Sequence, residues 1–548
     1  MTAAFTRSRT SSVVVTAALL TGAAALVVAA SAPASAAAAA AKKPPGQLPA
    51  GYKNLVVIYE ENHSFDNLYG DWGRVGGQMV NGLQNATSAT TTQVAQDGTA
   101  YQCLLQNDVN LTSPSPLATT CTDAAHSVPA SHFTNKWFTI DDYIAAGDKT
   151  CPAEGVFAPF GVLKDSPGAL PGGCTRDIVH RFYQEQYQID GGKQDRYVTG
   201  SDAVGLVMGR YETTNLPIYQ YLHSKGAPNY VVADNFFQGA FGGSFLNHQY
   251  LVAARAPVVT PVPAGVANSV LDPAGFPNSS YPLYHTTGVV DGAMTVACAN
   301  GAKADYVNAC GDIAVNTIQP ASPPKSSGVA MPLIDDTAYP NIGDRMSSAG
   351  ITWNWYSGGW DDAVAGHPGP LFQYHHQPFN YFANYAAGAP GRSHLQDETK
   401  FIASAKNGTL PQVSFVKPYG AENEHPGYAS EPDGSDHLVD LLQTIMSGPQ
   451  AEQTLVVVTY DEFGGQWDHV SPPAVDNWGP GTRIPALVLS AGMVKSGVDH
   501  TQYDTTSIMA TIEHSFGLAP VASRDAVVND LAAAVRLGDP RHQGQDGR

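Results

Sequence analysis

The sequence predicts an α/β fold with a mostly parallel central sheet flanked by helices. Two apolar, β-branched runs at residues 55–59 and 455–459 have the composition of strands buried on both faces, which is typical of parallel sheets. Through the second half of the chain, helical patterns alternate with further runs of this kind, and that alternation favours the same architecture. A chain of 548 residues is long enough for one large domain with insertions or for two domains.

The individual elements follow from local signals along the chain. In the helix expected at 216–224, Asn215 is a candidate N-cap and Pro217 suits the first turn. The helix expected at 435–446 places its leucine and isoleucine side chains on one face. We expect strands at 55–60, 230–233, 351–356, 411–417, 454–460 and 484–490, and helices at 180–189, 216–224, 435–446 and 507–516.

The N-terminal segment has the pattern of an export signal. Two arginines precede an apolar, alanine-rich stretch at 13–30, and the small residues Ala34-Ser35-Ala36 follow it. This order predicts a secretory signal peptide over residues 1–36. An uncleaved membrane anchor is the alternative, because a stretch of about 18 apolar residues nearly spans a bilayer. We expect cleavage, a linker over 37–50, and a secreted protein (extracellular or periplasmic) with no stable membrane anchor.

The predicted domain over 51–535 has two insertions, at about 85–175 and 255–345, and is followed by a flexible tail at 536–548. The insertions are rich in small and polar residues and together hold the six cysteines. An exported chain with an even number of cysteines is expected to form disulfides. Sequential pairing is the simplest of the arrangements that six cysteines allow, and it would join Cys103 to Cys121, Cys151 to Cys174 and Cys298 to Cys310.

Charge and cysteine spacing argue against two kinds of function. The formal net charge is −19, and the sequence contains no run of basic residues. An acidic chain of this kind is not expected to bind nucleic acid as a bulk partner. No Cys-x-x-Cys motif occurs either, so a zinc site built from thiolates is not expected.

Acidic and amide side chains follow both buried strands at the point where each strand ends. Glu61 and Asn62 come after the first strand, and Asp461 and Glu462 come after the second. In parallel sheets, ligands bind beyond the carboxyl ends of the strands, and hard cations prefer oxygen ligands. The pattern therefore predicts a metal site, although the same residue types after a strand are also common as turn formers and helix caps.

Gly242-Gly243-Ser244 is the candidate nucleophile turn. Two glycines permit a tight turn that exposes the serine oxygen, and a helix that begins there directs backbone N–H groups at an anion. This arrangement suits a nucleophile that attacks phosphorus or sulfur. The alternative is a serine that only caps a helix. The Gly-x-Ser-x-Gly elbow of α/β-hydrolases is absent at this serine.

Four histidines are candidates for substrate binding and proton transfer. The neighbours His375 and His376 are able to donate protons or to bind a non-bridging oxygen of an anionic substrate. Pro426 restricts His425 to an extended conformation, and His180 lies in a predicted helix. For each of these histidines the alternative is a structural or solvent-exposed side chain.

At three places the sequence resembles the bacterial secreted phosphoesterase family that holds acid phosphatases and phospholipases C. The first motif is Glu61-Asn-His-Ser-Phe-Asp66, and the second is the nucleophile segment Asp234–His248. The third is Thr-Tyr-Asp-Glu-x-Gly-Gly-x-x-Asp-His-Val at Thr459–Val470, followed by Pro472-Pro473. The resemblance extends over roughly residues 52–520 and is nearest to the acid phosphatase branch.

The resemblance implies an alkaline-phosphatase-like fold, one divalent metal ion and a phosphoseryl intermediate on Ser244. The ligands of the ion would be Glu61, Asn62, Ser244, Asp461 and Glu462, and the ion itself would be Ca²⁺, Mg²⁺, Mn²⁺, Zn²⁺ or iron. The side chains that bind phosphate oxygens, one of which protonates the leaving group, would be His180, His375, His376 and His425. If these histidines are partly exposed and become cationic near roughly pH 6.5, an acidic optimum follows.

The predicted function is a secreted acid phosphatase that hydrolyses small phosphate monoesters. The alternative is a phospholipase C or phosphodiesterase on the same site, which would take a phospholipid headgroup. The motif around Ser244 and the pair His375-His376 favour the phosphatase, whereas Asp461-Glu462 is also the phospholipase C pattern. A secreted binding module on the same fold is the non-enzyme alternative. A sulfatase is a weaker one, since Phe-Leu-Asn follows Ser244 where a sulfatase would have x-Pro-x-Arg.

Overall fold

A mixed sheet of eight strands forms the centre of the computed structural model, which describes residues 47–106, 118–122, 124, 133–149, 174–259, 263 and 313–540. The order of the strands across the sheet is β4-β3-β5-β1-β6-β7-β2-β8. Their bounds are β1 Asn54–Glu60, β2 Asn229–Ala233, β3 Trp353–Ser357, β4 Leu395–Asp397, β5 Val413–Lys417, β6 Thr454–Tyr460, β7 Ala486–Ser490 and β8 Gly497–Asp499.

The prediction of a mostly parallel sheet flanked by helices is confirmed. Strand β1 runs parallel to both of its neighbours, β5 and β6. Strand β7 departs from the pattern, since it runs antiparallel to β6 and β2. The segment 461–485 between β6 and β7 contains no helix. Without a crossover helix, the chain re-enters the sheet from the edge that it left, and the next strand is antiparallel.

Every residue of β1 and β6 is buried, as the continuous apolar runs predict. Helices cover the sheet: α8 (Glu398–Asn407) packs on β3, β4 and β5, and α11 (Ala532–Gly538) packs on β2, β7 and β8. The α-helices of the described residues are α1 Phe65–Tyr69, α2 Ser88–Thr91, α3 Phe182–Ile189, α4 Pro217–Leu222, α5 Ser244–Ala253, α6 Ile342–Ser348, α7 Trp360–Val364, α8 Glu398–Asn407, α9 Glu431–Met446, α10 Thr506–Phe516 and α11 Ala532–Gly538.

Two predicted helix starts are wrong. Leu216, and not Asn215, is the N-cap of α4, and no side chain caps it. The Asn215 amide instead donates a hydrogen bond to Asp141 Oδ1 at 3.1 Å, because a short 3₁₀ turn ends at Asn215 and directs its side chain elsewhere. Helix α3 begins at Phe182, so His180 lies in the segment before the helix and not within it.

Short strand pairs join the loops around the central sheet. They are Arg74–Val75 with Gln78–Met79, Cys103–Leu104 with Phe133–Thr134, Phe138–Thr139 with Gly209–Arg210, Phe236–Phe237 with Tyr503–Asp504, and Gln319–Pro320 with Ala330–Met331. The predicted disulfide between Cys103 and Cys121 is present. Cys174 is also disulfide-bonded, whereas Cys151, Cys298 and Cys310 lie outside the described residues.

The predicted signal peptide over 1–36, most of the linker and the end of the tail also lie outside the described residues. None of the helices in the described ranges has the length and apolar character that crossing a bilayer requires. Helix α11 continues to Gly538, so the first residues assigned to the tail are helical. The domain and insertion boundaries stay predictions.

Candidate active site

The two acidic strand ends meet because β1 and β6 are direct neighbours. Glu60 is paired with Tyr460 at the end of the ladder, so the next residues of both strands leave the sheet together. All four predicted ligand side chains that follow these strands are buried, with exposed fractions of 0 to 1%. They are Glu61, Asn62, Asp461 and Glu462. The sheet therefore brings together the residues that the sequence placed at its edge.

Backbone geometry fixes these side chains in place. Asn62 adopts φ +64°, a left-handed conformation that asparagine tolerates better than most residues. Its N–H and that of Glu462 both donate to Asp461 Oδ1, at 3.2 and 2.8 Å. The Gly464 N–H donates to Glu462 Oε2 at 2.6 Å. A Cβ at Gly464 would lie 2.1 Å from the carbonyl oxygen of Asn62, so only glycine fits this turn.

Ser244 is the first residue of α5 and points into the acidic cluster. Gly243 is the N-cap of the helix, so the interpretation of Ser244 as the cap itself is wrong. The Ser244 hydroxyl lies 3.2 Å from Glu61 Oε2, 3.4 Å from Glu462 Oε1 and 3.5 Å from Asn62 Oδ1. Ser244 is 4% exposed. Oxygens from three separate segments of the chain thus converge at the start of a helix.

A buried glutamate from α3 holds the turn that precedes Ser244. Glu185 Oε2 accepts hydrogen bonds from the Gly242 N–H at 2.5 Å and from the Gln238 amide at 2.9 Å. Its other oxygen accepts from the Thr482 N–H at 2.7 Å and hydroxyl at 2.8 Å. Gln238 Oε1 in turn accepts from the Phe463 N–H at 3.0 Å. The nucleophile turn is thereby joined to the loop that carries Glu462.

Three of the four predicted histidines border the cluster. His376 Nε2 lies 2.9 Å from Glu61 Oε1. The Asn62 amide faces His425 Nε2 at 2.9 Å and His180 Nε2 at 3.4 Å, and His180 Nε2 is also 3.4 Å from Glu462 Oε1. His375 is set back from the acids. Its ring packs beside the rings of His376 and His248, at centroid distances of 4.6 and 6.3 Å.

Burial of two of the four histidines removes the expected basis of an acidic optimum from them. The exposed fractions of His376 and His425 are only 5% and 4%. Burial lowers the pKa of His376 to about 4 and also lowers the pKa values of His375 and His425. The assumption of partly exposed side chains is therefore wrong for His376 and His425, and the lowered pKa keeps the His376 imidazole neutral at mildly acidic pH. The His180 side chain, at 18%, keeps the greatest contact with solvent among the three that border the cluster.

The acidic cluster has the properties of a cation site. Burial raises the pKa of Asp461, and the nearby Glu61 carboxylate raises it further. Burial and the charge of Asp461 raise the pKa of Glu462 in the same way. Asp461 Oδ2 has no hydrogen-bond partner among the described residues. A buried carboxylate oxygen without a partner costs free energy unless a cation compensates it. The donor set of carboxylate, amide and hydroxyl oxygens fits a hard divalent ion.

Two residues that the sequence reasoning did not select belong to this site. The side chain of Lys417, the last residue of β5, is fully buried and its Nζ lies 2.5 Å from Glu61 Oε1. His248, one turn after Ser244 on α5, donates from Nδ1 to the Ser244 carbonyl at 2.7 Å. The sequence does contain a signal for Lys417. Like Glu61, Lys417 is a charged residue at the end of an apolar strand.

A second buried cluster lies beside the first and is organised by an arginine. The Arg483 Nη2 atom donates to Asp66 Oδ1 at 3.0 Å and to Asp468 Oδ2 at 3.1 Å. His469 Nδ1 lies 2.6 Å from Asp66 Oδ2. Asp66, Asp468 and His469 are close enough together to hold a metal ion, but the guanidinium already supplies the positive charge there. We therefore infer that this cluster has a structural role and connects the loops that follow β1 and β6.

Comparison with known proteins identifies the family. The family model described as Phosphoesterase family matches residues 52–519. Phospholipase C B of Mycobacterium tuberculosis is 24% identical over 426 residues, which cover 70% of this chain and 68% of that protein. Non-hemolytic phospholipase C of Pseudomonas aeruginosa is 26% identical over 248 residues, which cover 38% of this chain and 34% of that protein.

Among solved structures, a putative sulfatase from Bacteroides thetaiotaomicron aligns with a TM-score of 0.29 at 12% identity, over 61% of this chain and 71% of that one. This likeness is too low to support any argument. The family match, by contrast, extends over most of the chain. The chain therefore belongs to the phosphoesterase family.

Proposed function

We propose that this protein hydrolyses phosphoric esters, with Ser244 as the nucleophile. One observation carries the proposal: the Ser244 hydroxyl stands at the first turn of α5, within 3.2–3.5 Å of Glu61, Asn62 and Glu462. A helix start offers N–H groups and a positive dipole end to the non-bridging oxygens of a phosphate. A structural cap would not need three metal-ligand side chains around its hydroxyl.

The residues that would hold a divalent cation are Glu61, Asn62, Ser244, Asp461 and Glu462, and the unpartnered Asp461 Oδ2 supports this assignment. When bound there, such an ion would lower the pKa of the serine hydroxyl and offset phosphate charge. Ser244 Oγ forms the new bond to phosphorus as the ester oxygen leaves. Water then cleaves the phosphoseryl ester.

His180 is the side chain best placed to protonate the leaving group. It keeps contact with solvent, and its Nε2 lies 3.4 Å from Glu462 Oε1. His425 and His376 are more deeply buried, and their lowered pKa values suit neutral hydrogen-bonding partners of the substrate better than proton donors.

Two substrate classes compete for this site. The comparisons favour a phospholipid diester over the monoester that the sequence analysis put first, because the relatives named above are phospholipases C. The observation that favours a monoester is that His180, His376 and His425 lie beside the acids that contact the Ser244 hydroxyl. A monoester has one more non-bridging oxygen to bind than a diester.

A paired assay of the purified protein separates the two. One arm contains p-nitrophenyl phosphate and the other contains p-nitrophenylphosphorylcholine, with phosphatidylcholine vesicles as the lipid check. We expect Ser244→Ala to lower kcat on the preferred substrate by roughly a thousandfold or more. Ser447→Ala, on an exposed serine at the end of α9, is the matched control. Turnover by Ser244→Ala at the wild-type rate would contradict the proposal.

Chelation tests the cation requirement separately. Dialysis against a chelator is expected to remove both the bound divalent ion and the activity, and addition of Mg²⁺, Mn²⁺, Ca²⁺ or Zn²⁺ is expected to restore activity with one of them. Unchanged metal content together with unchanged activity would contradict the assigned site.

A further inference from the structure

Lys417 has the contacts of a cation held in a fixed coordination site. Its side chain is fully buried, and its Nζ lies 2.5 Å from Glu61 Oε1, 2.8 Å from the Tyr59 carbonyl oxygen and 3.1 Å from that of Glu60. An ammonium group has three N–H donors. Two of them donate to the carbonyl oxygens of Tyr59 and Glu60, and the charge of the ammonium is paired with the Glu61 carboxylate.

The Glu61 carboxylate also belongs to a group of side chains with metal-binding geometry. Glu61, His248 and His376 each offer a ligand atom, and these atoms lie within 4.8 Å of one another. All three residues are buried, and His248 Nε2 has no hydrogen-bond partner among the described residues. Two imidazoles and a glutamate are a frequent ligand set for Zn²⁺. By donor type and spacing, this group would accept a second divalent ion.

We propose that the Lys417 ammonium occupies the position beside Glu61 where a second divalent ion would otherwise bind, and that it thereby limits the centre to the single ion that the family resemblance implies. This inference rests on the proposed function, because it presupposes the ion at Glu61 Oε2. Glu61 then divides its two oxygens between two cations. Oε1 binds the ammonium, and Oε2 lies 3.2 Å from Ser244 Oγ. Lys417 is thus a positioning residue, which fixes the rotation of the Glu61 carboxylate.

The charge balance supports this division. A further divalent ion at Oε1 would lie next to a buried ammonium, and like charges in a low-dielectric interior repel strongly. Removal of the ammonium removes that repulsion and leaves Glu61 Oε1 free for a metal ligand bond. The variant Lys417→Met keeps the length and apolar character of the stem without its charge.

The test is the number of Zn²⁺ ions bound per chain, measured by elemental analysis after equilibrium dialysis of metal-free protein. We expect one ion in the wild type and two in Lys417→Met. The double variant Lys417→Met/His248→Ala is expected to return to one ion. If Lys417→Met binds only one ion, the inference about Lys417 is wrong, but the proposed function is not affected. A wild type that binds no ion would defeat the metal-dependent function and this inference with it.

A crystal structure of the wild-type protein grown with Zn²⁺ gives a second test that does not depend on the folding of a variant. Anomalous scattering is expected to show one ion on the Oε2 side of Glu61, with the Lys417 ammonium on the Oε1 side. Anomalous peaks on both sides of the carboxylate would overturn the inference.

Discussion

Glu61 shows at the scale of one residue how the site is assembled. The segment after β1 places it, His376 and Lys417 bind one of its oxygens, and Ser244 lies beside the other. Burial opposes its ionisation, but the partners His376 and Lys417 outweigh burial and keep the pKa of Glu61 well below its usual value. Because burial raises the pKa values of Asp461 and Glu462, Glu61 is the most acidic of these three carboxyl groups.

Asp461 provides the test at this scale. Asp461→Asn keeps an Oδ1 acceptor for the N–H groups of Asn62 and Glu462 but removes the charge of the unpartnered oxygen. Because ligand charge sets the affinity of such sites, we expect Mn²⁺ affinity to fall by roughly tenfold or more. Isothermal titration calorimetry of metal-free protein measures it, with Asp362→Asn on the exposed face of α7 as the control. Equal affinity in Asp461→Asn and wild type would remove Asp461 from the ligand set.

The ligand residues could be predicted because each directly follows a strand with an unmistakable apolar pattern. Lys417 has the same signal at the end of β5. Because a cationic side chain is not expected in a metal site, the sequence did not indicate that Lys417 belongs to it. The neutral state of His376 could not be predicted at all. It depends on burial by segments that are distant in sequence.

At the scale of an element, the turn before α5 depends on contacts across long stretches of chain. The glycines of the turn could be predicted from the sequence, and Gly242 does adopt φ +90°. Its main support could not be predicted, because Glu185 lies on α3, far earlier in the chain, and accepts from Gly242 and Thr482. No local pattern in the sequence indicates such a pairing.

Glu185→Gln tests this support. All four groups that contact the carboxylate are donors, so the amide NH₂ of glutamine would face a donor, and we expect a loss of about 1–3 kcal/mol in the free energy of unfolding. Burial raises the pKa of Glu185 to about 7. Protonation of Glu185 therefore makes its full contribution to the free energy of unfolding at low pH. This contribution is lost as the pH rises through about 7.

The difference in stability between wild type and Glu185→Gln should consequently be larger at pH 5 than at pH 8, in urea titrations at the two pH values. A difference that is the same at pH 5 and pH 8 would mean that Glu185 is ionised in the folded protein throughout this range, and the assigned pKa would be wrong.

At the scale of the whole molecule, Arg483 connects segments that are far apart in the chain. It pairs with Asp66 after β1 and with Asp468 after β6, and it donates to the carbonyl oxygens of Asn81 and Asp234 at 2.6 and 2.9 Å. The strand order that brings these segments together was only partly predictable. A short apolar run does not encode its direction, and for this reason the sequence predicts a strand at β7 but not its antiparallel orientation.

Arg483→Met tests this connection. It would leave the carboxylates of Asp66 and Asp468 buried without the guanidinium, and breaking a buried ion pair in this way costs about 3–5 kcal/mol. Urea denaturation measures the change, and Arg74→Met, whose side chain is exposed, is the matched control. If the free energy of unfolding of Arg483→Met equals that of the control, the cluster contributes little to the stability of the fold.

The most direct test of the central claim is to trap the covalent intermediate. Turnover is stopped with acid on the millisecond timescale, and the digested protein is examined by mass spectrometry. We expect a phosphoryl group on Ser244, which carries the headgroup if the substrate is a diester, and no adduct in Ser244→Ala or in chelated protein. Turnover with no adduct on Ser244, or with an adduct on another residue, would show that Ser244 is not the nucleophile.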